Sequence, residues 1–205
     1  MGAYKFLNSK YLDSFLAGRL RLGSLESYRS IENPEIRDER EGIDRAFQSG
    51  AIVPNTREMH QRLLAVGIDA GRGATLINNT FVRSIGSTHI FCYSAGPLQE
   101  LKKRWSSYDA CVEILDPNAF ASKIWERGSV GGMDLKRFAE GMLHAPVAYT
   151  YRDTDISVED PLPLHLTVFR KEPRFSPDSE YRLALISRNT GGAVFVGVPD
   201  AASPF

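Results

Sequence analysis

Cysteine is scarce in this chain. Only Cys92 and Cys111 occur in 205 residues, each in a separate strand-like run. Two thiols so placed make neither a disulfide framework nor a zinc site, and the start, MGAYKFLNSKYL, lacks the apolar stretch of a signal peptide. Reduced thiols in a cytoplasmic protein are expected. Long apolar runs are missing too: none approaches the roughly 18 residues a membrane helix needs, so no membrane partner is expected. Neither sign of charge is in excess, with 25 basic and 25 acidic residues. Nucleic-acid binding driven by bulk charge is therefore not expected. Gly-x-Ser-x-Gly, His-Glu-x-x-His and Cys-x-x-Cys are all absent, which removes the commonest hydrolase, zinc-protease and redox signatures. His, Cys and Asp do not cluster, so no metal ligand is assigned.

What is present is a run of short elements in a length suited to one domain, 1–205. Ala3–Leu7 alternates as a strand, Asn8 or Ser9 can cap a helix with an apolar stripe at Tyr11, Leu12, Phe15 and Leu16, and Arg19–Gly23 alternates again. Ser24–Gly42 is charge-dense and apolar-poor, and reads as a solvated loop or a lid. A helix is expected from Thr56 to about Val66, and a flexible connector in the glycine run 67–73. Strands are expected at Ala74–Arg83, Thr88–Ser94, Ala110–Leu115, Pro146–Tyr151, Leu164–Arg170, Glu180–Ser187 and Ala193–Val198. Further helices are expected at Pro97–Trp105, from Asp116-Pro117 (an Asp N-cap before Pro at the first helical position), and over Leu135, Phe138, Ala139 and Met142. Asp153–Pro163 reads as a loop and the tail after Val198 as frayed. This order predicts an α+β protein, a mixed or antiparallel sheet of short strands with helices packed on it.

The stretch Ser176–Ser187, SPDSEYRLALIS, carries the most chemistry. Alternation puts Tyr181, Leu183 and Leu185 on one face and Glu180, Arg182, Ala184 and Ile186 on the other. The first face is core. The second begins charged and ends small, as in a strand whose mouth is wet; Glu180 and Arg182 fit either a functional cleft or an exposed ion pair. In HIFCYS, His89 and Cys92 point to opposite faces, which argues against a Cys–His nucleophile pair.

Three stretches, YKFLNSKYLDSFLAGRLRLGSLESYR, Phe91-Cys92-Tyr93-Ser94 and FRKEPRFSPDSEYRL, together resemble a widespread, largely uncharacterised family of bacterial and phage-borne domains. That family has an N-terminal Tyr-Lys-Phe/Tyr, a central Phe-Cys-x-Ser followed by a Trp…Tyr pair (here Trp105 and Tyr108), and a late Lys…Phe…Glu-Tyr-Arg with Lys171 as the lysine. The opening unit also resembles the first strand–helix–strand of ADP-ribosyltransferases, including DNA-modifying toxins of the DarT type. That resemblance implies three stations: Tyr4/Lys5, Tyr93-Ser94 and Asp178-x-Glu180. Lys5 stands where Arg or His is usual, the middle station is Tyr-Ser-Ala rather than Ser-Thr-Ser, and Asp178 is shorter than the usual Gln or Glu. It also implies NAD as substrate and a macromolecular acceptor. Cleavage of NAD passes through an oxocarbenium-like state that a carboxylate stabilises, the role implied for Glu180. Lys5 with Arg21 or Arg29 would neutralise the pyrophosphate, Ser94 would orient the ribose or brace Glu180, and Tyr4 or Tyr93 would stack on nicotinamide. Two other readings stay open: a non-catalytic interaction module using the charged 32–41 loop, and a metal-dependent hydrolase or nuclease drawing on its acids.

Overall fold

The computed structural model describes residues 2–30, 38–47, 51–52, 56–65, 69, 75–77, 80–84, 87–151, 153–155, 164–187 and 192–199. The glycine run 67–73 (Asp69 apart), Glu32, Glu35, Arg37 and the tail from 200 lie outside them.

The chain opens as expected. Strand β1 (Ala3–Leu7) leads into a short 3-10 turn in which the Asn8 side chain accepts from the Lys10 amide. Helix α1 (Leu12–Leu16) follows, and Gly18, at φ 77°, turns the chain into β2 (Arg19–Ser24). Ser24 caps α2 (Leu25–Arg29) through the Ser27 amide. The helix expected from Thr56 is α3 (Arg57–Ala65). Thr88–Ala95 forms β3, Leu98–Arg104 forms α4 and Ala110–Ile114 forms β4. Asp116 caps α5 (Pro117–Arg127) through two amides, with Pro117 at the first helical position. A tight β5–β6 hairpin (Ser129–Val130, Met133–Asp134) turns at Gly131 and Gly132, both at positive φ.

Three expected elements differ. The helix over 135–142 is a single turn, α6 (Leu135–Phe138), followed by strand β7 (Ala139–Pro146). A register shift between Ala139 and Gly141 lets the strand send both Ala139 and Met142 to the core, mimicking a helical spacing. Leu164–Phe169 is a 3-10 segment, not a strand, and buries Thr167, Val168 and Phe169 in succession. Only Arg170–Lys171 is extended, pairing in parallel with Ala148–Tyr149, the one short strand formed within 146–151. Within the expected strand Ala74–Arg83, the described residues form strands at Leu76–Ile77 and Thr80–Ser84.

Among the described residues, nine strands form one mainly antiparallel sheet, so the fold is α+β. Its centre is β3. Strand β8 (Glu180–Ser187) runs along one whole edge of β3, from Ser94 to Thr88, with β7 beyond it. On the other edge two strands share β3: β1 pairs at Ala95 and Ser94, and β2 at Ile90 and His89. Strand β1 continues the sheet to β4; β2 continues it through β9 (Val194–Gly197) to the β5–β6 hairpin. The sheet is therefore forked, and the fork opens beside Phe91–Tyr93. A larger core, including Leu20, Leu22, Phe91, Phe120, Ile124, Leu183 and Leu185, fills one face. A smaller one, Leu25, Ile90, Val168, Phe169 and Ala184, fills the other. No described helix is long and apolar enough to cross a membrane.

Candidate functional site

Strand register places the three stations side by side. Tyr4 pairs with Ser94 across β1–β3, and Ser94 with Glu180 across β3–β8. Directly paired residues in a sheet present their side chains to the same face, so Tyr4, Ser94 and Glu180 form a lateral row. Two residues along, Cys92 pairs with Arg182 on that same face. These groups line a cavity of about 120 Å³ together with Lys5, Phe6, Tyr28, Glu41, Trp105, Tyr108 and Lys171. Of the residues in the three short motifs, most reach this one cavity. Phe91 and Phe175 instead lie under the ammonium groups of Lys5 and Lys171, 4.6 and 5.0 Å from ring centroid to nitrogen.

The floor is ionic and dry. Glu180, 5% exposed, accepts from Arg182 Nε at 2.6 Å on one oxygen and from Lys171 Nζ at 2.6 Å on the other. Arg182, fully buried, donates in a fork to Glu41 at 2.5 and 2.9 Å and also to the Val168 carbonyl. Lys171 lies 3.5 Å from Asp178, whose other oxygen accepts from Arg104 Nε at 2.7 Å. The result is a chain of alternating charge, Glu41–Arg182–Glu180–Lys171–Asp178–Arg104, balanced three against three. Burial alone would raise the Glu180 carboxyl, but the charges of Arg182 and Lys171, with the hydrogen bond from Arg182, outweigh it and hold the group well below the carboxylate range. Burial likewise works against the Lys171 ammonium, yet Glu180 above all keeps it raised. An exposed Glu180–Arg182 pair is thus overturned: β8 is covered on both faces, and the pair is held in the interior.

The walls are aromatic. Trp105, just past α4, donates from Nε1 to Ser94 Oγ at 3.0 Å and meets Tyr108 edge-on at 6.0 Å. Both face the cavity. Tyr28 and Cys92 line the cavity together, and burial pushes both groups up, so Cys92 is a protonated thiol, not a nucleophile. Tyr149 receives the Glu180 amide at 2.7 Å and is itself pushed up, mainly by burial, to about 12. Lys5, half-buried, extends its Nζ to the Cys92 carbonyl at 2.6 Å, the stretch of β3 that neither β1 nor β2 covers. Burial lowers its pKa.

Other implied residues lie elsewhere. Arg21 is exposed on β2 opposite Phe195, and Arg29 turns back on the Leu25 carbonyl; neither lines the cavity. Tyr93 borders the cavity, but its ring stacks on Tyr181 at 5.6 Å within the larger core and its hydroxyl meets His144 Nε2 at 2.6 Å, so its ring is taken up by core packing. Asp178 is fully buried and braces Lys171. The charged 32–41 segment was expected to be solvated; Asp38 and Glu41 are instead buried at 2% and 1%, because Glu41 is the partner that Arg182 needs. Nothing in the sequence signalled Glu41 beyond its place in an acid-rich run. No described group of three His, Cys, Asp or Glu could hold a metal ion. Comparison of the chain with protein-family models, with curated proteins and with solved structures returns no match.

Proposed function

We propose that the cavity binds NAD and that the protein is an ADP-ribosyltransferase-like enzyme, cleaving the nicotinamide–ribose bond and passing ADP-ribose to a macromolecular acceptor. The observation that carries this reading is the Tyr4–Ser94–Glu180 row, three stations from three distant parts of the sequence meeting at the wall of one aromatic cavity. Glu180 has about four acceptor positions as a carboxylate. Arg182 and Lys171 occupy two, leaving positions for a ribose hydroxyl. Its negative charge is held in place by buried partners, so little reorganisation is needed as positive charge develops on the sugar. Ser94, fixed by Trp105, keeps its own O–H to donate to that sugar. The tyrosine and tryptophan rings favour a flat, electron-poor ring through their faces. At about 120 Å³ the cavity is below the roughly 300–1,000 Å³ of drug-sized pockets. It houses the nicotinamide end, with the remainder of the dinucleotide at its mouth.

The test is release of nicotinamide from NAD by the wild type, by Glu180→Gln and by Ser94→Ala. Removal of an electrostatic group of this kind lowers turnover about 100- to 1,000-fold, and Glu180→Gln is expected to do so. Ser94→Ala, which leaves the ion chain intact, serves as the variant whose folding is not at risk and is expected to lose about tenfold, the effect of one hydrogen bond. Equal turnover in all three proteins, or none in folded wild type, would sink the reading.

A further inference from the structure

The charges lining the cavity do not cancel. Glu41 and Glu180 are matched by Arg182 and Lys171 at 2.5–2.9 Å, and Asp178 answers Arg104 outside the cavity wall. Lys5 is left over. Its ammonium touches one carbonyl and one ring face, and among the described residues no carboxylate comes within ion-pair range of it. An ammonium has three donors, so two remain for a ligand. Glu180 acts on it through space, but that carboxylate already serves two cations. A desolvated, uncompensated cation in a cavity with low-dielectric walls attracts one negative charge and repels another positive one.

We infer that the cavity selects a ligand combining a flat ring with one oxyanion group, carboxylate or phosphate, and that Lys5 is its counter-ion and specificity-determining residue. This deepens the NAD reading and rests on it only for the choice of ring. Arg29 turns back on the Leu25 carbonyl, and Arg21 acts on Lys5 through space without lining the cavity; within the cavity Lys5 is the cation without a carboxylate partner among the described residues, so the anion that matters is the one nearest the ring.

Two matched pairs of probes separate the possible sources of that charge: nicotinate against nicotinamide, and nicotinamide mononucleotide against nicotinamide riboside. Within each pair the members differ in essentially one anionic group. Calorimetric titration of the wild-type protein should show the anionic member of at least one pair binding about tenfold more tightly, the scale of one charge-assisted hydrogen bond. Preference in the first pair identifies a ring carboxylate, and preference in the second a phosphate one sugar away. Lys5→Met should reduce the ratio to about one, and Lys5→Arg should restore most of it. No preference in wild type, a preference unchanged in Lys5→Met, or no heat from any probe would overturn the inference. NAD turnover with no anion preference would overturn it and spare the NAD reading. Anion preference without NAD turnover would do the reverse.

Discussion

Glu180 shows how strongly surroundings decide the character of one side chain. As Glu-x-Arg on an alternating strand it resembles an ion pair on a wet surface, worth about 0–1 kcal/mol. In the fold it lies within a chain of six charges, five of them buried and Arg104 partly exposed. The protonation of that chain dictates how stability responds to pH. Glu180 titrates in the folded protein below its ordinary value of 4.5, so its contribution is present above about 4.5 and is lost as pH falls toward the folded pKa. Lys171 titrates above its ordinary 10.5, so its contribution is present below about 10.5 and is lost as pH rises beyond it. Urea unfolding midpoints followed from pH 3 to 11 should form a plateau between those limits and fall on both sides. In Glu180→Gln/Lys171→Met the acid limb should flatten. An unchanged limb would show that these two groups do not carry the acid response.

At the level of elements, local signals were readable where they act alone. Asp116-Pro117 announced α5, and the carboxylate does accept from the Asn118 and Ala119 amides at 3.0 and 2.9 Å. Asp116→Ala should cost about 1 kcal/mol by chemical denaturation, with no effect on ligand binding, since α5 packs on the face away from the cavity through Phe120 and Ile124. A loss below a few tenths would mean that the cap is dispensable. Signals were misleading where packing overrode pattern. Leu135, Phe138, Ala139 and Met142 have helical spacing, yet the last two belong to a bulged strand. Leu164–Phe169 alternates on paper but must bury Thr167, Val168 and Phe169 together against Leu25 and Ala184. The β8 strand was legible because its apolar half is unambiguous. Its charged half was not, because nothing near it in sequence reveals that Glu41, 141 residues away, will neutralise Arg182.

For the whole molecule, the forked sheet is the organising feature. Strands β1 and β2 leave β3 at its two ends, and the gap between them exposes the Cys92 carbonyl to Lys5 and brings Tyr4, Ser94 and Glu180 to one hollow. Most of the candidate site was present in three short motifs, but only the register shows that they converge. Glu41 enters from the intervening chain, and Arg21 and Arg29, adjacent in sequence to the right elements, do not line the cavity, Arg29 turning back on the Leu25 carbonyl. Trp105 stands in the cavity wall and reports on its occupancy. Its fluorescence, read in a Trp125→Phe background so that it is the only tryptophan left, should be quenched in a saturable way by NAD added to millimolar concentration, and the quenching should weaken about tenfold in Lys5→Met. A folded protein whose Trp105 emission does not respond to NAD over that range would contradict the claim that this cavity is a nucleotide site.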